Sequence, residues 1–163
     1  MAESMLAKEG AGSVGIVEKK YFTYGSEQEP FVLENRQTLP EVTHCYETYG
    51  ELNPRGDNAI LIEHGLTGSS HAAGRFAPDS RYAGYWDALI GPGKVLDTER
   101  YFVVAPNALG GCRGTTGPSS INPRTGKPYG LSFPIITIRD MVRAQRPLLE
   151  HLGVRRLALV IGG

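Results

Sequence analysis

The chain has 163 residues with 17 basic and 17 acidic side chains, so its formal net charge is zero, and 40% of its residues are hydrophobic. A neutral balance argues against a nucleic-acid binder or a protein of acidic membrane surfaces, since both carry a basic excess. No apolar run approaches the roughly 18 residues of a membrane span. Two cysteines, Cys45 and Cys112, cannot build a disulfide framework. We therefore expect a cytoplasmic protein that binds neither nucleic acid nor membrane.

The N-terminal part of the chain predicts a short antiparallel meander. Residues 1–13 are small and polar, and we expect a flexible N-terminus there. Apolar residues alternate loosely in the three segments that follow, and turn residues separate these segments, as in consecutive strands. The three predicted strands are residues 14–22, 31–34 and 42–49.

Three continuous apolar runs follow, each typical of a strand buried on both faces of a parallel sheet. They are residues 59–63, 101–105 and 157–161. A short aromatic helix is predicted over residues 82–90. The alternation of strands, loops and helices indicates an α/β domain with a mostly parallel sheet.

The clearest helix is predicted between the last two runs. Thr137 and Asp140 form a start like a capping box, and Gly153 suits the end. Pro147 lies inside and removes a backbone hydrogen bond, so we expect a bend over residues 143–147. The apolar positions fall on one face at helical spacing: Ile138, Met141, Val142, Leu148, Leu149 and Leu152.

The loop over residues 63–71 (EHGLTGSSH) leaves the first buried run. A glycine-flanked loop at the carboxyl end of a central strand can direct backbone N–H groups at a developing oxyanion, although an ordinary strand-to-helix turn fits the same pattern. His64 and His71 could be a metal ligand or a base. No carboxylate–histidine pattern of helical spacing lies nearby, which favours a structural or surface role, and no metal site is predicted.

A long loop, residues 106–134, follows the second run and is rich in glycine and proline. A loop of that length is either functional or a wrong assignment of elements. It lacks the Gly-Lys-Ser/Thr ending of a phosphate-binding P-loop. Cys112 has no evident histidine partner as a nucleophile. Arg113, Arg124 and Lys127 lie in a stretch without acids, which favours either an anionic ligand or a solvated surface.

The third apolar run leads into Gly162 and Gly163. A strand followed by Gly-Gly matches the first half of a nucleophile elbow, in which small residues permit the sharp turn that exposes a serine. A strand that simply ends in a turn is the alternative, because the chain holds no serine at that place.

Several segments together resemble the homoserine O-acetyltransferase family of α/β-hydrolase-fold acyltransferases. They are residues 46–53 (YETYGELN), 64–68 (HGLTG), 91–98 (GPGKVLDT), 109–120 (LGGCRGTTGPSS), 122–130 (NPRTGKPYG) and the helix over 140–153. The resemblance implies the N-terminal portion of an α/β-hydrolase fold. Residues 14–163 would then be an incomplete domain that ends just before the serine of the elbow.

The resemblance also implies an activity and its residues. The family moves an acetyl group from acetyl-CoA to L-homoserine through an acyl-serine, on the way to methionine, with no cofactor besides this substrate. The backbone N–H of Leu66 would belong to the oxyanion hole, Thr67 would border the acceptor pocket, and Gly162 and Gly163 would lead into Gly-Gly-Ser-Met-Gly-Gly. The catalytic serine, aspartate and histidine would all lie beyond this chain, so we expect the isolated chain to be inactive. The full-length protein is expected to be a homodimer.

Other functions remain open on these residues. A homoserine O-succinyltransferase or a serine O-acyltransferase of the same fold would share the motifs, and Arg113 could meet the phosphates of CoA. A hydrolase would use water as the acceptor, and the Gly-rich segment over residues 109–120 speaks against it. An inactive truncated remnant or an interaction-only protein is the non-enzymatic alternative.

Overall fold

The computed structural model describes residues 12–163 and contains eleven strands and one α-helix in that range. In chain order they are β1 (Lys20–Tyr24), β2 (Phe31–Val32), β3 (Thr38–Leu39), β4 (Val42–Tyr49), β5 (Ala59–Glu63), β6 (Ile90–Gly91), β7 (Leu96–Asp97), β8 (Phe102–Pro106), β9 (Ile121–Asn122), β10 (Lys127–Pro128), α1 (Ile138–His151) and β11 (Leu157–Gly162). Most of the flexible N-terminus predicted over residues 1–13 lies outside the described residues.

Five of these strands form the central sheet, in the order β1-β4-β8-β5-β11. β5 runs parallel to both β8 and β11, whereas β4 runs antiparallel to both β1 and β8. The sheet is therefore mixed, with its parallel half formed by the three apolar runs predicted as buried strands. Because those three strands are parallel, their carboxyl ends lie at the same edge of the sheet.

Side chains of the parallel strands alternate between two apolar layers. Ile60 and Ile62 pack with Val103 in one cluster, together with residues of the loops after β5. Ala59 and Leu61 belong to the opposite cluster, which contains Val104 and Leu149 of α1. The prediction that these strands are buried on both faces is correct for β5 and β8.

The predicted N-terminal meander is only partly correct. β1 begins at Lys20 rather than at residue 14, and Ile16 instead forms an isolated bridge with Arg75. β2 does not join the sheet but pairs with β3 in a separate hairpin. The chain returns in that hairpin through Arg36, whose φ of 66° lies in the left-handed region that a tight turn requires.

α1 begins as the sequence predicts. The Thr137 side chain accepts a hydrogen bond from the Asp140 N–H, and the Asp140 carboxylate accepts one from the Thr137 N–H. Asp140 also accepts a hydrogen bond from the Glu34 N–H at 2.9 Å, so the capping residue ties the helix to the hairpin of β2 and β3. Gly153, with a φ of 80°, follows the last turn, as expected for a helix terminator.

The predicted apolar face of α1 is partly wrong. Leu148 is buried as expected, but the other fully buried positions are Asp140, Ala144 and Gln145. Ile138 and Val142 are 74% and 60% exposed because no part of residues 12–163 covers that side of the helix. Periodicity identifies an apolar stripe, but it does not determine which part of the stripe is covered.

Pro147 lies inside α1, and the helix continues through it to His151. The neighbouring Ala144 carbonyl accepts hydrogen bonds from two side chains of the sheet. His44 Nε2 donates at 2.8 Å and Tyr24 Oη donates at 3.0 Å. These contacts hold the middle of the helix against β1 and β4 beside the position where the proline removes a backbone donor.

The predictions of a helix over residues 82–90 and of a long loop over residues 106–134 also need correction. Residues 82–90 do not form a helix: residues 85–89 are turns, and Ile90 begins β6. A Cβ on Gly84 would come within 2.2 Å of the Ala72 backbone, which shows how closely the two segments approach. The long loop after β8 is not structureless, because it contains the hairpin of β9 and β10 and a 3₁₀ turn at Gly130–Ser132. Within residues 12–163, no helix has the length and apolar character needed to cross a membrane.

Candidate functional site

The carboxyl ends of β5 and β11 bring the two glycine-containing motifs together. Gly162 pairs in register with Glu63, and a Cβ on Gly162 would come within 2.4 Å of the Glu63 carbonyl oxygen. A Cβ on Gly65 would lie 3.2 Å from the Gly163 carbonyl oxygen. The loop predicted to hold an oxyanion donor therefore lies directly beside the Gly-Gly sequence predicted to lead into a nucleophile elbow.

The tip of this loop is open. The Gly68 N–H donates to the Gly65 carbonyl at 2.9 Å, which closes a tight turn around Leu66 and Thr67. Both residues are exposed, and the Leu66 side chain makes almost no contact with the rest of the chain. Among residues 12–163, no acceptor receives a hydrogen bond from the Leu66 or Thr67 N–H. These two backbone donors are therefore available to a ligand.

His64 anchors the start of the loop rather than facing outward as a base. The Ala108 N–H donates to His64 Nε2 at 3.1 Å, so this nitrogen must carry the lone pair. His64 Nδ1 then carries the proton and donates to the Gly65 carbonyl at 2.8 Å. Both ring nitrogens are used in fixing the loop to the segment after β8, which agrees with the structural interpretation of this histidine.

His71 belongs to a buried polar cluster at the other end of the loop. Its Nδ1 lies 3.1 Å from Glu47 Oε2, and its ring stacks on Phe76 with centroids 4.0 Å apart. Glu47 is fully buried and also accepts a hydrogen bond from Tyr49 Oη at 2.8 Å. Burial raises the pKa of the Glu47 carboxyl, and the hydrogen bonds from His71 and Tyr49 oppose part of that rise in pKa.

Tyr49 connects this cluster to the backbone after the loop. Its hydroxyl oxygen accepts hydrogen bonds from the Ala72 and Ala73 N–H groups at 3.0 and 3.1 Å. Burial and the neighbouring Glu47 carboxylate raise the pKa of the Tyr49 hydroxyl, so it stays protonated and donates to Glu47. Sequence reasoning did not identify Glu47 or Tyr49 as site-supporting residues, since both lie in a strand far from the loop along the chain.

Glu63 occupies the end of β5, between the loop and α1. It accepts a hydrogen bond from Gln145 Nε2 at 3.0 Å. Burial raises the pKa of its carboxyl group, while the Gln145 donor acts in the opposite direction. This contact fixes the buried side of α1 against the strand that carries the loop.

One of the three basic residues in the segment after β8 is paired with an acidic residue from a distant part of the sequence. Arg124 forms a two-point contact with Glu27, with N–O distances of 2.8 and 2.9 Å. Arg113 and Lys127 are exposed, and neither forms an ion pair with another of residues 12–163. Cys112 is also exposed, whereas Cys45 is buried, and both are free thiols.

Two clefts, of about 420 and 340 Å³, lie near β1 and β4, and Leu66 and Thr67 line neither of them. The described residues contain no group of three or more His, Cys, Asp or Glu side chains arranged to hold a metal ion. The site therefore consists of backbone donors at an open loop, supported from below by buried polar side chains.

Comparison with curated proteins gives extensive matches, although no family model matches the chain. The chain is 59% identical over 148 residues to a homoserine O-acetyltransferase of Symbiobacterium thermophilum, covering 91% of this chain and 39% of that protein. It is 53% identical over all 163 residues to a homoserine O-acetyltransferase of Solidesulfovibrio magneticus, of which it covers 41%. The chain thus spans about two fifths of the length of these relatives.

Solved structures with the same fold include transferases and esterases. A homoserine O-acetyltransferase from Bacillus anthracis superposes with a TM-score of 0.83 at 41% identity, over 90% of this chain and 40% of that one. The esterase E22 superposes with a TM-score of 0.82 at 44% identity, over the same shares of the two chains. These neighbours have the α/β-hydrolase fold, and the predicted fold class is confirmed.

Proposed function

We propose that this chain, a homologue of the homoserine O-acetyltransferases over about two fifths of their length, forms the oxyanion-loop part of an enzyme that acetylates L-homoserine from acetyl-CoA. The observation that carries this proposal is the contact between the loop over residues 64–68 and the Gly162-Gly163 sequence. An acyl-transfer site needs backbone donors and a nucleophile at one place. This contact brings the loop that holds the donors next to the segment proposed to lead into the nucleophile.

In the proposed reaction, the catalytic histidine takes the serine proton while the serine oxygen attacks the thioester carbonyl of acetyl-CoA, and it gives that proton to the sulfur of CoA as the C–S bond breaks. The histidine then removes the hydroxyl proton of L-homoserine, whose oxygen attacks the acyl-serine, and returns this proton to the serine oxygen as O-acetyl-L-homoserine leaves. We assign the serine, histidine and aspartate to the part of the relatives' length that this chain does not span.

The chain itself contributes a donor in both steps. The free N–H of Leu66 is directed at the oxyanion of each tetrahedral intermediate, and one such donor contributes about 3 kcal/mol to the transition state. Thr67, exposed beside it, borders the acceptor pocket that the remaining part of the protein completes. Gly162 and Gly163 provide the small residues that the elbow requires.

A second candidate is ester hydrolysis. The Gly-rich segment over residues 109–120 was expected to exclude it, but the esterase E22 shares 44% identity with this chain. This similarity to an esterase removes the reason for excluding ester hydrolysis. Acetyl transfer remains our first proposal because several curated relatives of 53–59% identity are named homoserine O-acetyltransferase.

The compartment and assembly are part of the same proposal. We assign a cytoplasmic location, since Cys45 and Cys112 are both free thiols and a reducing compartment keeps them so. We further assign a homodimer on the family resemblance, no nucleic-acid or membrane partner, and no cofactor besides acetyl-CoA as substrate. Arg113, exposed and without an ion-pair partner among residues 12–163, is available to the phosphates of CoA.

The test uses the complete protein encoded by the parent gene. We expect repeated turnover of acetyl-CoA only when L-homoserine is present, because without it the acyl-serine forms once and CoA release stops at about one equivalent per enzyme. O-acetyl-L-homoserine is identified by mass. Parallel assays with succinyl-CoA, with L-serine and with a simple acetyl ester in water separate the other transferases and the hydrolase. Homoserine-independent hydrolysis as the only activity would overturn the proposal, and so would a preference for succinyl-CoA or for L-serine.

A further inference from the structure

Asn107 is the buried residue that joins the three segments around the candidate site. It follows β8 directly and is 1% exposed. Its Oδ1 accepts a hydrogen bond from the Ser70 N–H at 2.7 Å, and its Nδ2 donates to the Arg113 carbonyl at 2.6 Å. Its own backbone N–H donates to the Cys45 carbonyl at 2.8 Å. The side chain thus connects the loop after β5 with the Gly-rich loop.

These contacts require a primary amide. The Ser70 contact needs an acceptor, and the Arg113 contact needs a donor at the other end of the same planar group. An ionised aspartate offers no donor, and an alanine offers neither group. Thr115 Oγ1 also donates to the Asn107 carbonyl at 3.2 Å, so the backbone N–H and carbonyl of the residue and both polar atoms of its side chain each have a partner.

The loop that holds Leu66 is consequently fixed at both ends to consecutive residues. His64 is held by the Ala108 N–H at the start of the loop, and Ser70 is held by Asn107 at its end. Between these two points, the Leu66 and Thr67 N–H groups remain free. A displacement of either end would move the free donors relative to Gly163, which lies beside Gly65.

We propose that Asn107 is a positioning residue for the Leu66 backbone donor. It acts through Ser70 and touches no reacting atom. The inference rests on the proposed function in one respect, that the Leu66 N–H is the group that contacts the oxyanion. Its effect is on the rate of the chemical step, because a donor directed at an oxyanion stabilises the transition state more than the bound substrate.

The chain provides a matched control at the opposite end of the sheet. Asn58 lies just before β5, where its Oδ1 accepts from the Asn53 N–H at 2.9 Å. Its Nδ2 donates to the carbonyls of Glu51 and Arg100 at 3.1 and 3.0 Å. Asn58→Ala therefore removes the same kinds of contact from loops that are remote from the site.

The experiment compares Asn107→Ala and Asn58→Ala in the complete protein. For Asn107→Ala we expect kcat to fall by about tenfold or more, with KM for acetyl-CoA within about threefold of the wild-type value. We expect Asn58→Ala to keep kcat within about threefold. Amide hydrogen exchange over residues 64–72 should accelerate in Asn107→Ala alone. An unchanged kcat or unchanged exchange in Asn107→Ala would overturn the inference, as would an equal loss of kcat in Asn58→Ala.

Asn107→Asp provides a second variant in case the alanine variant does not fold. A protonated aspartic acid can accept from Ser70 and donate to Arg113, but an aspartate cannot. The kcat of this variant, relative to wild type at the same pH, should therefore rise as the pH falls. His44, Cys45, Glu47 and His64 are the titratable groups around Asn107 and its partner Ser70, and Arg113 is the neighbouring charged residue. Both proteins contain all of them. A ratio that does not change with pH would contradict the proposed role of the amide.

The hydrolysis of p-nitrophenyl acetate separates this inference from the proposed function. That reaction passes through the same oxyanion whether the natural acceptor is homoserine or water. A wild-type protein that cleaves this ester without acetylating homoserine would overturn the proposed acceptor, while the effect of Asn107 on kcat would still be measured. If neither reaction occurs, hydrogen exchange over residues 64–72 alone decides whether Asn107 holds the loop.

Discussion

Gly162 lies against Glu63 so closely that a Cβ on the glycine would come within 2.4 Å of the Glu63 carbonyl oxygen and 2.7 Å of its Cβ. The two residues are partners in the parallel pairing of β11 with β5. The φ of Gly162 is outside the left-handed region, so the close approach of the two strands, rather than backbone conformation, is what requires a glycine.

Gly162→Ala is therefore expected to separate the ends of β5 and β11. The added methyl group meets backbone atoms that cannot turn away, and we expect the free energy of unfolding to fall by about 1–3 kcal/mol. Chemical denaturation of the complete protein measures this change. Gly163→Ala is the control, since no atom lies within 4 Å of a Cβ built there. Equal effects of the two substitutions would contradict the packing argument.

Glu47→Gln is expected to remove a dependence of stability on pH. The folded state raises the pKa of the Glu47 carboxyl above its usual value of 4.5. The folded protein therefore binds this proton more tightly than the unfolded chain, and the contribution of Glu47 to stability is lost as the pH rises from about 4.5 through the folded-state pKa. Each unit of raised pKa corresponds to about 1.4 kcal/mol.

The measurement is the free energy of unfolding of wild type and variant from acidic to neutral pH. The wild-type value should fall relative to that of Glu47→Gln as the pH increases. Glu27→Gln is a control of opposite sign, because the hydrogen bond from Arg124 lowers the pKa of the exposed Glu27 carboxyl. A wild-type advantage over Glu47→Gln that grows with pH would refute the assigned direction.

Pro147→Ala is expected to stabilise α1. The proline withholds the N–H that would donate to the Arg143 carbonyl, and alanine restores it, so the free energy of unfolding should rise by about 1–3 kcal/mol. Arg146→Ala, beside it, removes only an exposed pair with Glu150 and should change stability by less than about 1 kcal/mol. Thermal or chemical unfolding measures both. A loss of stability in Pro147→Ala would indicate that the helix is shaped around the proline by His44 and Tyr24.

The parts of this structure that the sequence predicts are those in which the signal is local. The runs that form β5, β8 and β11 are continuous and apolar, and the two residues of the capping pair, Thr137 and Asp140, are three positions apart. The predicted helix over residues 82–90 failed because its tight contact with the Ala72 backbone overrides a weak local pattern.

The parts that could not be predicted depend on contacts between distant residues. Ser70 and Asn107 are 37 residues apart, and Glu27 and Arg124 are 97 apart. No spacing within either segment indicates the other partner. Asn107 had one local signal, its position directly after a buried strand at the sheet edge where ligand sites lie. The spacing of Ile138 and Val142 predicts an apolar face of the helix, but it does not specify which segment packs against that face.

The isolated 163-residue chain is expected to have no acetyltransferase activity. In the function proposed above, the Leu66 N–H would stabilise an oxyanion only after a nucleophile has attacked, and that proposal assigns the nucleophile and its base to the part of the relatives' length that this chain does not span. A CoA-release assay with acetyl-CoA and L-homoserine, at detection limits well below the rate of the complete protein, measures this. Homoserine-dependent release of CoA by the isolated chain would require a nucleophile among residues 1–163 and would contradict our assignment.

The isolated chain is also expected to self-associate through β11. This strand lies at the edge of the sheet, and among residues 12–163 no strand pairs with its outer side. Leu159, Val160 and Ile161 are 40%, 54% and 36% exposed. An apolar strand with free backbone donors and acceptors pairs readily with a second copy, and a charge on such an edge opposes that pairing.

Val160→Lys should therefore shift the isolated chain toward monomer in sedimentation velocity. Val142→Lys is the control and should not cause this shift, because it adds the same charge on the exposed side of α1 without blocking a strand edge. A shift of similar size in both variants would show that net charge, rather than the edge of β11, controls association. If the unsubstituted chain sediments as a monomer and unfolds cooperatively, the open edge is not an association site.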